Sequence, residues 1–286
     1  MISQLQHIAT LAQTALIYEV AISPKPGLVD RYTNGAHDDM DFFTFIKSIQ
    51  ALSPYFYRYL EEGYLHNGSL KALFEKERTI GSIAEKAMLT ATDQINTHKG
   101  ANFSFAVLLG AIGYHLKTNA SFPFTMQDTD AVLTIASEMT SHLIDQDLTN
   151  LSEKNMLSNG EKLFIKKGIT GVRGEAANGY PALKNVLLPY MRKKAHSIDE
   201  LFLLRSLIFL MTQLEDTNII HRGGVSALEK IQEETRQIHE QNLSSDQFVH
   251  ELKEYDLLLT ERHLSPGGAA DLLSLGIFFA MLEGIF

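Results

Sequence analysis

The chain has 286 residues, 45% of them hydrophobic and 21% charged, with 25 Lys+Arg against 34 Asp+Glu and a formal net charge of −9. That apolar content excludes disorder as the main state, and the acidic balance argues against non-specific nucleic-acid binding, which needs basic surface. The sequence has no Cys, which excludes disulfides, thiolate metal sites and cysteine nucleophiles and fits a cytoplasmic protein.

The first residues, MISQLQHIATLAQ, lack a basic region and a continuous apolar run, so no signal peptide is expected. Ile2, Leu5, Ile8, Ala9, Ala12 and Leu16 follow helical spacing and predict a first helix that ends near Pro24. A second helix starts near Asp39, carries Phe42, Phe45, Ile46 and Ile49 on one stripe, and stops around Gly63; Pro54 is expected to kink or restart it. Helical periodicity then predicts helices over 80–95, 101–116, 128–147, 160–167, 175–192, 198–214, 225–242, 246–261 and 269–282. Ser197 and Glu200 read as a capping box. The apolar run from Leu201 is interrupted by Arg205, so no membrane span is expected. The polar stretch 117–130 reads as a surface loop and a candidate cover for a site. No alternating β-branched run occurs. The expectation is one all-α domain over 1–286, a multi-helix globule with active-site loops at helix ends.

Five segments between the helices are rich in Gly, Asn, Asp, His and basic residues: those beginning at Ser23, Asn96, Gly168, Glu215 and Leu264. Five such loops exceed what plain helix connections need, and helix N-termini with Gly-rich turns bind anions. Lys25 stands between two prolines that limit its backbone freedom, although taken alone a helix stop with a solvated lysine is the simpler reading. Asp39 and Asp41, near His37 and Asp38, are candidate Mg²⁺ ligands or helix caps. Asn96, His98 and Lys99 precede an apolar helix; Lys99 suits a phosphate, and His98 suits hydrogen bonding or base chemistry. Arg173 offers a fork-shaped cation beside Glu175, a candidate general base or an anchor for the arginine. Asp216, Asn218, Arg222, Gly223 and Gly224 follow a very apolar helix, where a charged cluster favours function. Gly267, Gly268 and Asp271 open the last helix, and the two glycines permit close backbone approach. No P-loop, GxGxxG, HExxH or GxSxG motif is present. The residues alone point to an all-α enzyme with a Mg²⁺-assisted site for a phosphate-rich substrate.

The segments PKPGLVDRYTNGAHDDMD, INTHKGANFSFAVLLGA, GITGVRGEAANGY, DTNIIHRGG and LSPGGAADLL, in this order, resemble the motif set of the triphosphoribosyl-dephospho-CoA synthases. The resemblance covers nearly the whole chain; Val172 and Tyr180 are mild departures, standing where a small residue and Phe are expected. It implies that ATP donates its triphosphoribosyl group to the 2′-hydroxyl of 3′-dephospho-CoA, releasing adenine, with an inverting displacement at C1″. The product would pass toward the acyl carrier protein of citrate lyase. On this reading Lys25, Lys99, Arg173 and Arg222 neutralise phosphates, with Asn96, Asn218, Gly223, Gly224, Gly267 and Gly268 also in substrate binding. Asp39, Asp41 and Asp216 are the Mg²⁺ candidates. Glu175, ahead of His98, takes the proton from the attacking hydroxyl. The alternatives are the homologous enzyme serving malonate decarboxylase, a Mg²⁺-dependent nucleotide N-glycoside hydrolase, and a helical binding protein without catalysis.

Overall fold

The computed structural model describes residues 2–118, 122–148, 157 and 159–286. The chain is all-helical, and among the described residues no strand occurs. In order the helices are α1 (Ile2–Ala21), α2 (Phe42–Leu65), α3 (Leu70–Ala91), α4 (Lys99–His115), α5 (Met126–Thr140), α6 (Leu143–Leu148) and α7 (Asn159–Lys167). There follow α8 (Gly171–Ala177), a π-helical turn (Ala182–Leu187) running into α9 (Leu188–Arg192), then α10 (Glu200–Met211), α11 (Thr217–Glu240), α12 (Ser245–Glu261) and α13 (Gly267–Leu282). Among the described residues no helix is long and apolar enough to cross a membrane.

Two helices are apolar nearly all round and are therefore central. In α4 the whole run Phe105–Gly113 is buried, and in α13 the whole run Leu272–Ala280. Around them pack amphipathic helices. The predicted stripe of α1, Leu5, Ile8, Ala9, Ala12 and Leu16, is its buried face, and α1 packs on α13 and α2. Helices α2 and α4 cross backbone against backbone. A Cβ on Gly63 would lie 2.0 Å from the Gly110 carbonyl oxygen, and one on Gly113 would lie 2.1 Å from that of Leu60. Gly63→Ala is therefore expected to destabilise the protein by about 1–3 kcal/mol, the usual range for overpacking. Urea denaturation of the variant beside the parent measures it; equal midpoints would contradict this close crossing.

Several boundaries differ from the sequence expectation. Pro54 does not interrupt α2. It sits on the water-facing side, where the carbonyl that loses its partner can be hydrated. Helix α3 begins at Leu70 rather than Ile80, capped by Ser69, whose Oγ accepts from Ala72 N at 3.2 Å. The charged stretch from Glu75 to Thr79 hid it, because Glu77 occupies a buried position on its inner stripe. The expected capping box at Ser197 is replaced by Asp199, whose carboxylate accepts from Phe202 N at 2.7 Å. Glu200 instead accepts from Ser23 N at 3.1 Å and Arg31 at 2.5 Å. The single helix expected over 175–192 is broken, and its π turn precedes Pro189, whose ring would clash with the carbonyl of a regular turn. The helix expected over 128–147 splits into α5 and α6, α5 starting two residues early on a capping box between Thr125 and Asp128. Helix α11 starts at Thr217 rather than Val225, with a kink at Gly224 (φ 81°, ψ −179°).

The described ends of the 117–130 stretch are anchored away from the loop cluster around His98. Residues 119–121 lie outside the described residues. Lys117 bonds to the His66 carbonyl and to Asn67 Oδ1, the latter at 2.9 Å. Phe124 is buried, and its N–H donates to Leu282 O at 2.8 Å. These anchors sit at the C-terminal end of α4. Its 17 residues, at about 1.5 Å per residue, separate them by roughly 25 Å from His98.

Candidate active site

The five loop segments meet where α4, α11 and α13 begin. The turn after α1 is organised by the buried carboxylate of Asp30. It accepts from Ser23 Oγ (2.7 Å), Lys25 N (3.0 Å), Tyr32 N (2.8 Å) and Thr33 N (3.0 Å). Gly27 N donates to Asp256 Oδ1 of α12 at 2.9 Å. Gly27 has φ 70°, and a Cβ there would lie 2.3 Å from the Leu264 carbonyl oxygen, so this turn is pressed onto the segment before α13. Arg222 and His37 complete the junction. Arg222 donates to Ala36 O (3.0 Å) and His263 O (3.2 Å), and its Nη2 lies 3.3 Å from His37 Nδ1. His37 Nε2 lies 2.9 Å from Ser265 Oγ. On the other side, Gly171 lies against Thr217, with 3.3 Å between a Cβ position and Thr217 Cγ2. This contact joins the 168–180 segment to the start of α11.

At the centre of this junction are the buried charges Lys25, Glu19 and Asp216 and the partly buried Asp271. Lys25, 1% exposed, donates its Nζ to Glu19 Oε1 at 2.5 Å. Burial raises the Glu19 carboxyl despite the lysine. Asp216 is buried and caps α11 by accepting from Asn218 N (2.8 Å) and Ile219 N (3.3 Å). It also accepts from Ala269 N of α13 at 2.9 Å. Burial raises it in spite of these donors. Asp271 of α13 lies over the first turn of α4. Its Oδ2 would be 2.3 Å from a Cβ on Gly100, and the Ala101 N–H donates to it. Burial first, then the charges of Glu19 and Asp216, hold it well above the ordinary carboxylate range.

His98 is 2% exposed. Thr97 donates its hydroxyl to Ser48 Oγ at 2.6 Å, and Ser48 Oγ lies 2.7 Å from His98 Nδ1. Thr97 donates to Ser48, and among the described residues Nδ1 is the acceptor for the Ser48 proton; in that tautomer the His98 proton sits on Nε2. That nitrogen is buried without a partner. Burial and the Lys25 charge push the imidazolium down to about 3. His98 is thus a neutral imidazole with a buried, unpartnered ring nitrogen, a weak base at neutral pH.

Glu175 is partly buried, and burial raises its carboxyl above the usual range. Its Oε2 accepts from Ala182 N at 3.2 Å, and the buried Tyr180 lies close enough to feel its charge. A carboxylate so placed is a stronger base than one in water.

The remaining predicted residues are placed as follows. Lys99 Nζ pairs with Glu85 at 2.6 Å on the half-exposed start of α4. Asn96 caps the same turn through Oδ1, which accepts from Lys99 N at 3.2 Å. Arg173 lies in α8 and is partly buried. The glycines make room for side chains: Gly267 for Asn218 (2.8 Å), Gly268 for the Asp216 carboxylate (3.0 Å), and Gly223 for Leu264 (2.8 Å). Gly224 borders open space. The three expected metal ligands are not brought together. Asp41 caps α2, bound to Thr44 N (2.8 Å) and Oγ1 (2.7 Å). Asp39 is exposed beside His37 at 3.6 Å, and Asp216 is spent on backbone donors. Among the described residues, no three His, Asp or Glu side chains form a metal position.

Glu19, Asp30 and Ser48 escaped the sequence reading. Glu19 carried a usable signal, since it falls three residues after Leu16 on the apolar stripe of α1. A charge on a buried stripe is rare unless paired. Asp30 and Ser48 are short polar residues whose hydrogen bonds depend on tertiary contacts, and nothing local marks them.

Known proteins identify the family. The profile of the ATP:dephospho-CoA triphosphoribosyl transferase family matches residues 5–286. A Streptococcus mutans serotype c protein described as a probable 2-(5″-triphosphoribosyl)-3′-dephosphocoenzyme-A synthase is 46% identical, covering 98% of this chain and 97% of its own. A Streptococcus pyogenes serotype M18 protein with the same description is 47% identical over 98% of this chain and 97% of its own. A solved Archaeoglobus fulgidus structure, described provisionally as a triphosphoribosyl-dephospho-CoA synthase, shares the fold. Its TM-score is 0.51 at 17% identity, covering 84% of this chain and 100% of that one. The full-length match and the near-half identity place this chain in the ATP:dephospho-CoA triphosphoribosyl transferase family.

Proposed function

We propose that this chain transfers the triphosphoribosyl group of ATP to the 2′-hydroxyl of 3′-dephospho-CoA and releases adenine. The observation that carries the reading is the meeting of the five segments at the starts of α4, α11 and α13. The first turns of α4 and α13 take side-chain acceptors from Asn96 and Asp216 rather than from their own N-cap residues. Helix starts present partial positive charge and suit a triphosphate. Lys99 and Arg173, at the start of α4 and within α8, add full charges; Lys99 must exchange Glu85 for phosphate. Arg222 and the glycines hold the segments against each other. Glu175 receives the proton of the attacking 2′-hydroxyl. Asn96 and Asn218 are polar contacts at the rim.

Developing positive charge at C1″ is met by the acidic groups behind the helix starts, an arrangement that favours the transition state over bound ATP. The Asp39, Asp41 and Asp216 side chains do not form a cage for Mg²⁺. Mg²⁺ therefore fits best as a companion of the ATP triphosphate, whose oxygens and waters supply most of its ligands. Both substrates and the cysteine-free chain suit the cytoplasm. The product is of the kind attached to an acyl carrier protein, and the citrate lyase carrier is the recipient favoured by the motif resemblance.

Purified protein incubated with ATP and Mg²⁺, with and without 3′-dephospho-CoA, tests this by chromatography. Adenine is expected only with the acceptor and in equal amount to a heavier CoA derivative. Adenine at the same rate without acceptor would instead establish N-glycoside hydrolysis.

A further inference from the structure

We propose that Asp271 is the general acid of the reaction, delivering a proton to the departing adenine from its place over the first turn of α4. This deepens the transfer reading and rests on it. Expulsion of adenine as an anion from C1″ is slow, so a ring nitrogen must gain a proton as the bond to N9 breaks. The donor has to be protonated near neutral pH and held at the reacting centre. Its surroundings should also favour the positive charge growing on the ribosyl carbon.

Asp271 meets these requirements by position. It is the one charge in the otherwise apolar first turns of α13. Gly100 makes room for it, since any side chain there would collide with Oδ2 at 2.3 Å. Glu19 of α1 is engaged by Lys25, and Asp216 is engaged by backbone N–H groups at the starts of α11 and α13. The Ala101 N–H of α4 donates to Asp271 itself. Asp271 is thus the one of the three that, among the described residues, neither pairs with a cation nor caps the start of α11. A second, independent feature points to a ligand here: the buried Nε2–H of His98, at the same turn of α4, has no protein acceptor. A purine ring offers both what that donor lacks and what a carboxylic acid needs, namely acceptor nitrogens. Burial and the two neighbouring carboxylates hold the Asp271 carboxyl well above the ordinary carboxylate range, the direction an acid catalyst needs.

The step balances. The 2′-oxygen of dephospho-CoA forms its bond to C1″, and its proton passes to Glu175. The C1″–N9 electron pair leaves with adenine, which takes the Asp271 proton and departs neutral. Asp271 is left as the carboxylate and Glu175 as the acid, and both reset through solvent.

The test pairs two donors with the whole enzyme. One is ATP. The other is a β-linked ribose 5-triphosphate carrying p-nitrophenolate in place of adenine, a leaving group that needs no proton. Asp271→Asn, which keeps the shape and the Ala101 acceptor, should turn over ATP about 10²- to 10⁴-fold more slowly but retain transfer from the p-nitrophenyl donor within about tenfold. Gly100→Ala, which displaces the carboxyl without altering it, should show the same pattern. Glu175→Gln should be slow with both donors. An Asp271→Asn enzyme equally impaired with both donors, or unimpaired with ATP, would overturn the assignment. A wild-type enzyme that transfers from neither donor would overturn the transfer reading itself and the acid with it.

Discussion

Glu175→Gln is expected to lower turnover by about 10²- to 10⁴-fold while ATP binding, measured by calorimetry, stays within about threefold. Gln retains the acceptor for Ala182 N and the volume of the side chain, so the local turn into the π helix is preserved. What it lacks is a basic oxygen. Burial raises the Glu175 carboxyl, and the base works only when ionised. The rate should therefore rise with pH through a value above the ordinary carboxylate range, and the variant should lose that limb. Turnover near the wild-type rate, with the same pH profile, would remove Glu175 as the base.

Lys25→Met is expected to cost about 3 kcal/mol of stability, the lower end of the range for leaving a buried charge unpaired. The figure sits low because Glu19 can escape by taking a proton. The same escape sets the pH dependence. Without Lys25 the folded-state pKa of Glu19 rises further, so the folded state binds more protons than the unfolded one. The deficit should therefore shrink as pH falls toward the unfolded carboxylate range and grow as pH rises through the folded value. Glu19→Gln in the same chain should recover part of the loss. Urea denaturation at about pH 5 and pH 8 reads both effects; a deficit independent of pH would contradict a buried Glu19–Lys25 pair.

The helical class was legible because α1, α4, α12 and α13 each carry an uninterrupted apolar pattern, and their observed limits follow it closely. Boundaries failed where local chemistry competed. Asp199 outbids Ser197 as a cap because its carboxylate reaches Phe202 N, while Glu200 is drawn away to Ser23 and Arg31. The start of α3 was hidden because a buried glutamate stood where the pattern demanded an apolar residue.

The site was legible as five segments but not as a division of labour. Residue type suggested that Arg222 was a phosphate ligand, yet its guanidinium ties the turn after α1 to the segment before α13. Asp216 looked like a metal ligand, yet its oxygens cap two helices at once. Both roles depend on contacts between segments far apart in the chain, which spacing alone cannot reveal. Lys25 shows the opposite case. Its flanking prolines marked it as unusual, and the structure supplies the partner, Glu19, that makes its burial tolerable.

Incubation with ATP labelled separately in the γ-phosphate and in the adenine ring, together with 3′-dephospho-CoA, tests triphosphoribosyl transfer most directly. The account predicts the phosphate label in the CoA product and the ring label in free adenine, in equal amounts. Phosphate label on the CoA derivative with the ring label recovered in ADP would make the reaction a phosphoryl transfer and contradict displacement at C1″.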